Sequence, residues 1–234
     1  MKRSINTKPP RQRLFVNARI IDPSQSLDIQ GDVLVSKGKI EALGKSLPRD
    51  QLKPFCKIID CGGAVLAPGL VDARVFIGEP GGEHRETIKS ASRAAVSGGV
   101  TSLAMMPDTS PVIDDAALVA FIRQTAREKS RVNILPTAAL SKGLMGEEMT
   151  EFGLLSDAGA VAFTDGSKTV QSAQMMRRAL TYAGDFDALI MAATRDATLG
   201  GGVMNAGLNA TRMGLPGIPR EAEIIPLERD MRLV

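Results

Sequence analysis

The sequence predicts an α/β protein in which a small β-rich segment precedes about five strand–helix units. Two observations predict it. Residues 14–66 hold short runs of β-type residues broken by turn residues. From Pro68 onward the rhythm becomes strand, loop, helix, with apolar residues recurring at helical spacing. Repeated βα units imply parallel strands with right-handed crossovers, in an open doubly wound sheet or in part of an eight-stranded barrel.

The β-rich segment is expected to contain strands at Leu14–Val16, Ile20-Ile21, Asp32–Val35, Lys39–Leu43 and Lys57–Asp60. Asp22-Pro23-Ser24 and Lys37-Gly38 supply the turns between them. The first βα strand is Gly69–Ile77, followed by a helix over His84–Ser97 that stops at Gly98-Gly99. The second strand is Thr101–Met106, and Asp114 is expected to cap a helix with Leu118, Phe121, Ile122 and Thr125 on its apolar stripe. Val132–Ala139 and Glu147–Ala158 form the third unit. Ala160–Thr164 and Val170–Ala183 form the fourth, the helix resting on Val170, Ala173, Met176, Leu180 and Ala183. Ala188–Ala193 is a fifth strand, and Glu221–Val234 a last helix interrupted near Pro226. No GxGxxG follows any strand, which argues against a dinucleotide fold.

Composition narrows the function. The chain has 234 residues and a net charge of +3, too small an excess to argue for nucleic acid. Part of that charge sits in residues 1–13, which read as a basic flexible tail. No apolar run reaches membrane-spanning length. Two Cys and 11 Met suggest a reducing, cytoplasmic setting. Cys56 and Cys61, at C-x4-C spacing, are expected to be free thiols, and the Met pairs 105–106 and 175–176 core filler. There is one His, at position 84 near a helix start, and it reads as a solvated first-turn residue. A single His nearly excludes a histidine-rich zinc site.

In parallel α/β folds, active sites lie at the carboxyl ends of the strands. Those ends here carry Glu79, Asp108, Asp165 and Asp196. The four could ring a polar cleft that binds Mg²⁺ or a polar ligand. Each could equally cap a helix or fix a turn.

The stretch GLVDARVFIGEPGGEHRETIKSASRAAVSGGVTSLAMMPDTSPVIDD resembles class I dihydroorotases, whose pattern runs D-x-H-x-H-x-R-E-P-G to M-P-N-T-x-P. AGAVAFTDG and GVMNAGLNATRMGLPGIPREAEIIPLERDMRL are similar to later segments of that family, in the same order. The early NARIIDP and IIDCGGAVLAPGLVD resemble the β-sandwich entry of the amidohydrolase superfamily. The resemblance implies an amidohydrolase-type (β/α)8 TIM barrel, present as about five βα units over residues 67–234. A small β-sandwich segment over 14–66 precedes it. It also implies the zinc-dependent, reversible cyclisation of N-carbamoyl-L-aspartate to dihydroorotate in pyrimidine biosynthesis.

The likeness fails where that chemistry would sit. The family's paired metal-binding His fall on Arg74 and Phe76, its substrate Arg on Gly78, and its substrate Asn on Asp108. The fifth-strand His falls on Ala193 and the N-E-G Glu on Ala206, while Asp165 keeps an acidic site position. A cation at Arg74 repels Zn²⁺, and Phe76 and Ala193 offer it no lone pair. No cofactor is therefore expected, and the family reaction is expected to be impaired or lost. Glu79, Asp108 and Asp165 remain as candidates for an altered carboxylate site on a related cyclic amide. The alternative is a pseudoenzyme that scaffolds a homo-oligomer or aspartate carbamoyltransferase. About 165 residues after Pro68 are also few for a closed barrel of about 250 residues, so a piece of a longer polypeptide, or a half-barrel needing a partner, is expected.

Overall fold

A computed structural model describes residues 12–50 and 52–234. Residues 1–11 of the basic tail read from the sequence lie outside the described residues. Its last two, Gln12 and Arg13, are not tail: Gln12 is buried and Arg13 opens the first strand. The chain divides into two compact units, with the boundary between Pro68 and Gly69.

In the first unit, β1 (Arg13–Asp22) pairs antiparallel with β2 (Leu27–Ser36), which pairs antiparallel with β3 (Lys39–Gly44). β4 (Lys57–Asp60) and β5 (Val65–Leu66) lie parallel to β1. Leu14, Val16, Ala18 and Ile20 are buried at every second position, the signature of a strand with one face on a core. The two runs expected over residues 14–21 are one strand. A register shift between Phe15 and Ala18, with Asn17 at φ 57°, breaks its pattern without ending it. Cys56 and Cys61 are free thiols.

The second unit is built on β6 (Leu70–Val75), α1 (Ile88–Ser97), β7 (Val100–Met105), α2 (Ala116–Lys129) and β8 (Asn133–Pro136). The three strands are parallel in the order β6-β7-β8. α3 (Phe152–Ala158) and α4 (Ala173–Gly184) continue the series. The strands expected at 160–164 and 188–193 narrow to single bridging pairs, Ala138 with Phe163 and Phe163 with Ile190. They keep the parallel ladder: Ala138 N–H donates to Ala162 O and Thr164 N–H to Ala138 O, both at 2.9 Å. Ile77, Leu103, Met105, Ile122, Phe152 and Phe163 belong to the core between strands and helices. All four methionines of the two pairs are buried.

Helix starts move where capping chemistry, rather than apolar spacing, decides them. α1 begins after Thr87, because the Thr87 hydroxyl accepts from Ser90 N–H while Ser90 Oγ accepts from Thr87 N–H. His84 therefore lies outside the helix, exposed in the preceding loop. Asp115, not Asp114, caps α2 by accepting from Ala117 N–H, and Asp114 accepts from Gly143 N–H instead. Phe121 is half exposed, and the buried stripe of α2 is Val119, Ile122, Thr125 and Ala126. Ser172 caps α4, so Val170 precedes it and Ala173 faces outward. Residues 147–151 form no helix; α3 starts only at Phe152.

The chain ends with β9 (Met204–Asn205), α5 (Leu208–Met213), β10 (Gly217–Ile218) and α6 (Glu221–Met231). β9 and β10 pair in parallel. The first three of these elements carry no clear sequence pattern, being two to six residues long. Pro226 does not interrupt α6. A proline has no N–H for the carbonyl four residues back, and Ala222 O takes the Asp196 N–H at 2.7 Å in its place. No helix among the described residues is long and apolar enough to cross a membrane.

Candidate functional site

The parallel strands deliver Arg74 near the end of β6, Phe76, Gly78 and Glu79 just after it, Asp108 after β7, and Asp165 after the fourth strand position, all toward one end of the sheet. Glu79 is buried, and its carboxylate is fully committed. Oε2 accepts from Ile88 N–H at 2.9 Å, the first residue of α1, and Oε1 accepts from Lys129 Nζ at 2.8 Å. A carboxylate at a helix N-terminus satisfies an orphan donor and opposes the positive end of the helix dipole. The ion pair in turn raises the Lys129 ammonium above its ordinary range. Glu79 thus ties α1 to α2 and is not a free ligand of the cleft. Lys129, 50 residues away, carries no sequence signal of this role.

Arg74 and Phe76 fill the positions where the resemblance puts histidines. Arg74 Nη2 donates to Gly166 O at 3.2 Å, beside Asp165. The Arg85 guanidinium carbon lies 4.9 Å from the centre of the Phe76 ring, a cation–π contact. Gly78 stands where the substrate arginine would be, and the backbone there is folded tight. Gly82 N–H donates to Gly78 O at 2.5 Å. A Cβ built on Gly78 would collide with the Gly82 carbonyl oxygen and sit 3.0 Å from Glu86 O. Gly81, at φ +90°, is held in the left-handed region, and a side chain there would strike the Ser110 carbonyl. The loop after β6 is thereby packed against the loop after β7, where Ser110 N–H donates to Pro80 O at 3.3 Å.

Asp108 approaches Gly166, the residue that follows Asp165. A Cβ on Gly166 would lie 3.5 Å from the Asp108 carboxyl carbon. Asp108 Oδ1 is buried with no hydrogen-bond partner among the described residues. Asp165 is buried and held by one residue: Oδ1 accepts from Ser141 N–H at 2.8 Å and Oδ2 from Ser141 Oγ at 2.5 Å. Burial pushes the Asp165 carboxyl above its ordinary range, and the two Ser141 bonds pull it partly back. Asp196, also read from the sequence as a cleft residue, instead closes its own turn. It accepts from Thr198 N–H and hydroxyl at 2.8 and 2.5 Å, which holds its carboxyl below the usual range. Ala193 presents only a methyl group.

The raised Asp165 carboxyl fixes a pH dependence. The folded state holds that proton above the pH at which the unfolded chain releases it. Asp165 therefore contributes stability at acid pH that is lost as pH rises from the ordinary carboxylate value through the raised one. Asp165→Asn keeps an acceptor for Ser141 N–H and offers a donor to Ser141 Oγ. Urea unfolding from pH 4 to 8 is expected to show this downward component in the parent and its loss in the variant, which gains stability at neutral pH. An unchanged pH profile would show that Asp165 titrates normally.

The residues present do not fit a catalytic zinc. The donor set is a guanidinium, a phenyl ring carrying a second guanidinium, and a methyl group, where imidazole nitrogens are needed. Among the described residues, no three His, Cys, Asp or Glu side chains gather as a metal ion would require. Of the residues read from the sequence, Asp108 lies against Gly166, the residue after Asp165. Sequence reasoning missed Ser141 and Arg85, whose roles depend on packing across loops.

Comparison with known proteins bears on the family and the fold. The family model described as dihydro-orotase-like matches residues 63–234. Dihydroorotases of Pelobacter propionicus and Syntrophus aciditrophicus are 44% and 43% identical to the chain over 221 and 224 residues, each alignment covering 94% of this chain. The chain spans about half the length of these curated relatives, 51% in each case. Among solved structures, an L-hydantoinase (dihydropyrimidinase) from Arthrobacter aurescens superposes with a TM-score of 0.74 at 20% identity. That match covers 94% of this chain and 50% of the other. A D-hydantoinase gives 0.70 at 18% identity, over 95% of this chain and 49% of the other. These likenesses identify the parallel unit as part of an amidohydrolase-type barrel, and the chain belongs to the dihydroorotase-like family.

Proposed function

We propose that this chain is a dihydroorotase-like protein of pyrimidine biosynthesis that does not support the family's zinc-dependent cyclisation and serves as a non-catalytic, scaffolding member. The observation that carries the reading is the refilled metal position: Arg74 bound to Gly166 O, and Phe76 beneath Arg85. The family's reaction needs a metal-bound hydroxide and a polarised amide carbonyl. Without lone pairs at 74, 76 and 193, no residue here holds the metal that supplies either. Loss of the arginine at 78 also removes a bidentate grip on a substrate carboxylate. Aspartate carbamoyltransferase, or a second copy of this chain, is the partner that the scaffolding reading names. Free thiols at Cys56 and Cys61 suit a cytoplasmic setting.

The purified protein, supplied with zinc, is expected to retain no stoichiometric metal and to turn over neither dihydroorotate nor N-carbamoyl-L-aspartate. It is expected to co-elute with aspartate carbamoyltransferase or to self-associate. Turnover that a chelator abolishes would overturn the non-catalytic part. A strictly monomeric protein that ignores aspartate carbamoyltransferase would overturn the scaffold.

One observation favours a second reading, a cyclic-amide hydrolase with an altered carboxylate site. Asp108 Oδ1 is buried and unpartnered beside Gly166, next to the buried Asp165. Such polar atoms are costly unless a ligand or water completes them. That reading requires metal-independent hydrolysis, abolished by Asp108→Asn and insensitive to chelator.

A further inference from the structure

At the opposite end of the sheet from Asp108 and Asp165, a cleft of about 590 Å³ opens at the amino ends of β7 and β8. Its polar lining includes Thr101, Arg123, Arg127, Ser130, Arg131 and Asn133. Three of these are arginines, and none of the residues lining the cleft is acidic. Arg123 and Arg127 lie four residues apart on α2, so their side chains rise from one face about 6 Å apart along the axis. Arg131 follows one residue beyond the Ser130 cap and lines the same cleft.

Among the described residues, no carboxylate lies within ion-pair distance of any of the three. Lys129, on the same stretch of chain, does have one, in Glu79. Arg123 is oriented by a 2.6 Å bond from Nη1 to Ala158 O, which leaves its other nitrogens unassigned. The carbonyl end of a helix favours cations in its last turn, which accounts for Arg127. Arg123, in the middle of α2, meets the carbonyl end of α3 in the same way through Ala158 O, which leaves Arg131, beyond the end of α2, outside that account. Three like charges around one concavity repel one another until an anion enters.

We propose that this cleft binds a small molecule carrying a di- or triphosphate. Guanidinium forks match phosphate oxygens bidentately, and several converging forks suit successive phosphates better than a single carboxylate. The volume is that of a small-molecule site. The chain's net charge of +3 lacks the broad basic surface on which nucleic acid binding depends. The site is separate from the vacated metal position and does not rest on the reading of that position.

Calorimetric titration of the full chain with inorganic pyrophosphate and with ATP tests the proposal. At about 150 mM ionic strength, where charges more than ~8 Å apart are screened, both are expected to bind saturably. Arg127→Gln/Arg131→Gln removes two exposed side chains and is expected to weaken binding roughly tenfold or more. Arg93→Gln/Arg212→Gln, the same charge change outside the cleft, is expected to leave it unchanged. Equal affinities would mean that the phosphates alone are recognised, and tighter ATP binding that the nucleoside is held too; both support the site. Absence of saturable heat, or equal weakening in both double variants, overturns it. So does a chain that takes up an acidic peptide or oligonucleotide but not pyrophosphate.

Discussion

Replacing Phe152 with alanine is expected to destabilise the protein by about 3–5 kcal/mol, the cost of deleting a fully buried phenyl ring. Phe152 is 0% exposed. Its ring stacks on Phe163 with centroids 4.2 Å apart and meets Tyr182 at 5.3 Å. Tyr182 continues the cluster edge-on to Phe186 at 5.0 Å. One side chain therefore joins the start of α3, the fourth strand position and α4. That position pairs with its neighbours over only a few residues, through backbone bonds such as Val161 N–H to Pro136 O and Phe163 N–H to Leu189 O, so side-chain packing adds to what a short ladder supplies. Offset aromatic pairs add about 0.5–1.5 kcal/mol beyond area burial, and Phe152→Leu, which keeps most of the volume, should recover much of the loss. Urea denaturation of the three proteins checks this. A loss below about 1.5 kcal/mol for the alanine variant, in the range of a mere trimming of a core side chain, would mean that the aromatic cluster is not what holds the fourth strand.

The sequence was most legible where local chemistry and fold agree. β4 matches its expected residues one for one, because Lys57–Asp60 is a β-type run closed by Gly62-Gly63. Alternation in β1 was visible at Leu14, Val16 and Ile20, but the shift at Asn17 split one strand into two on paper. The starts of α1 to α4 differ from expectation by one to five residues, in α1 and α4 because a capping hydroxyl at Thr87 or Ser172 has no apolar period, whereas α6 starts at Glu221 as expected. The continuity of α6 through Pro226 depends on the Asp196 N–H, donated from 26 residues before the Ala222 acceptor. The site divides in the same way. Which residues stand where the resemblance implies metal or substrate contacts can be read from residue identities alone. What each substitute does cannot, because Glu79 answers to Lys129, Arg74 to Gly166, and Phe76 to Arg85.

That difference has a consequence for substitutions toward the pattern that the resemblance implies. Gly78→Arg, which puts back the family's substrate arginine, is expected to cost about 3 kcal/mol or more, at or above the usual range for overpacking. The new Cβ meets the Gly82 carbonyl and Glu86 O, both backbone atoms that no rotamer change can move aside. The same turn is pinned by the Gly82-to-Gly78 hydrogen bond and by Gly81 against Ser110. Arg74→His/Phe76→His is expected to be far milder. Arg74 is exposed, and the pair gives up one bond to Gly166 O and a cation–π contact worth about 0.5–1 kcal/mol. Thermal unfolding of the two variants should therefore separate widely, with the double histidine protein close to the parent. If Gly78→Arg instead unfolds like the parent, the loop from Gly78 to Glu83 can open, and the closed turn is only one of its states. The contrast places the two losses on different footings. At 74 and 76 only side-chain contacts stand against histidine, whereas at 78 the backbone of Gly82 and Glu86 stands against any side chain, so an arginine there needs the turn itself to open.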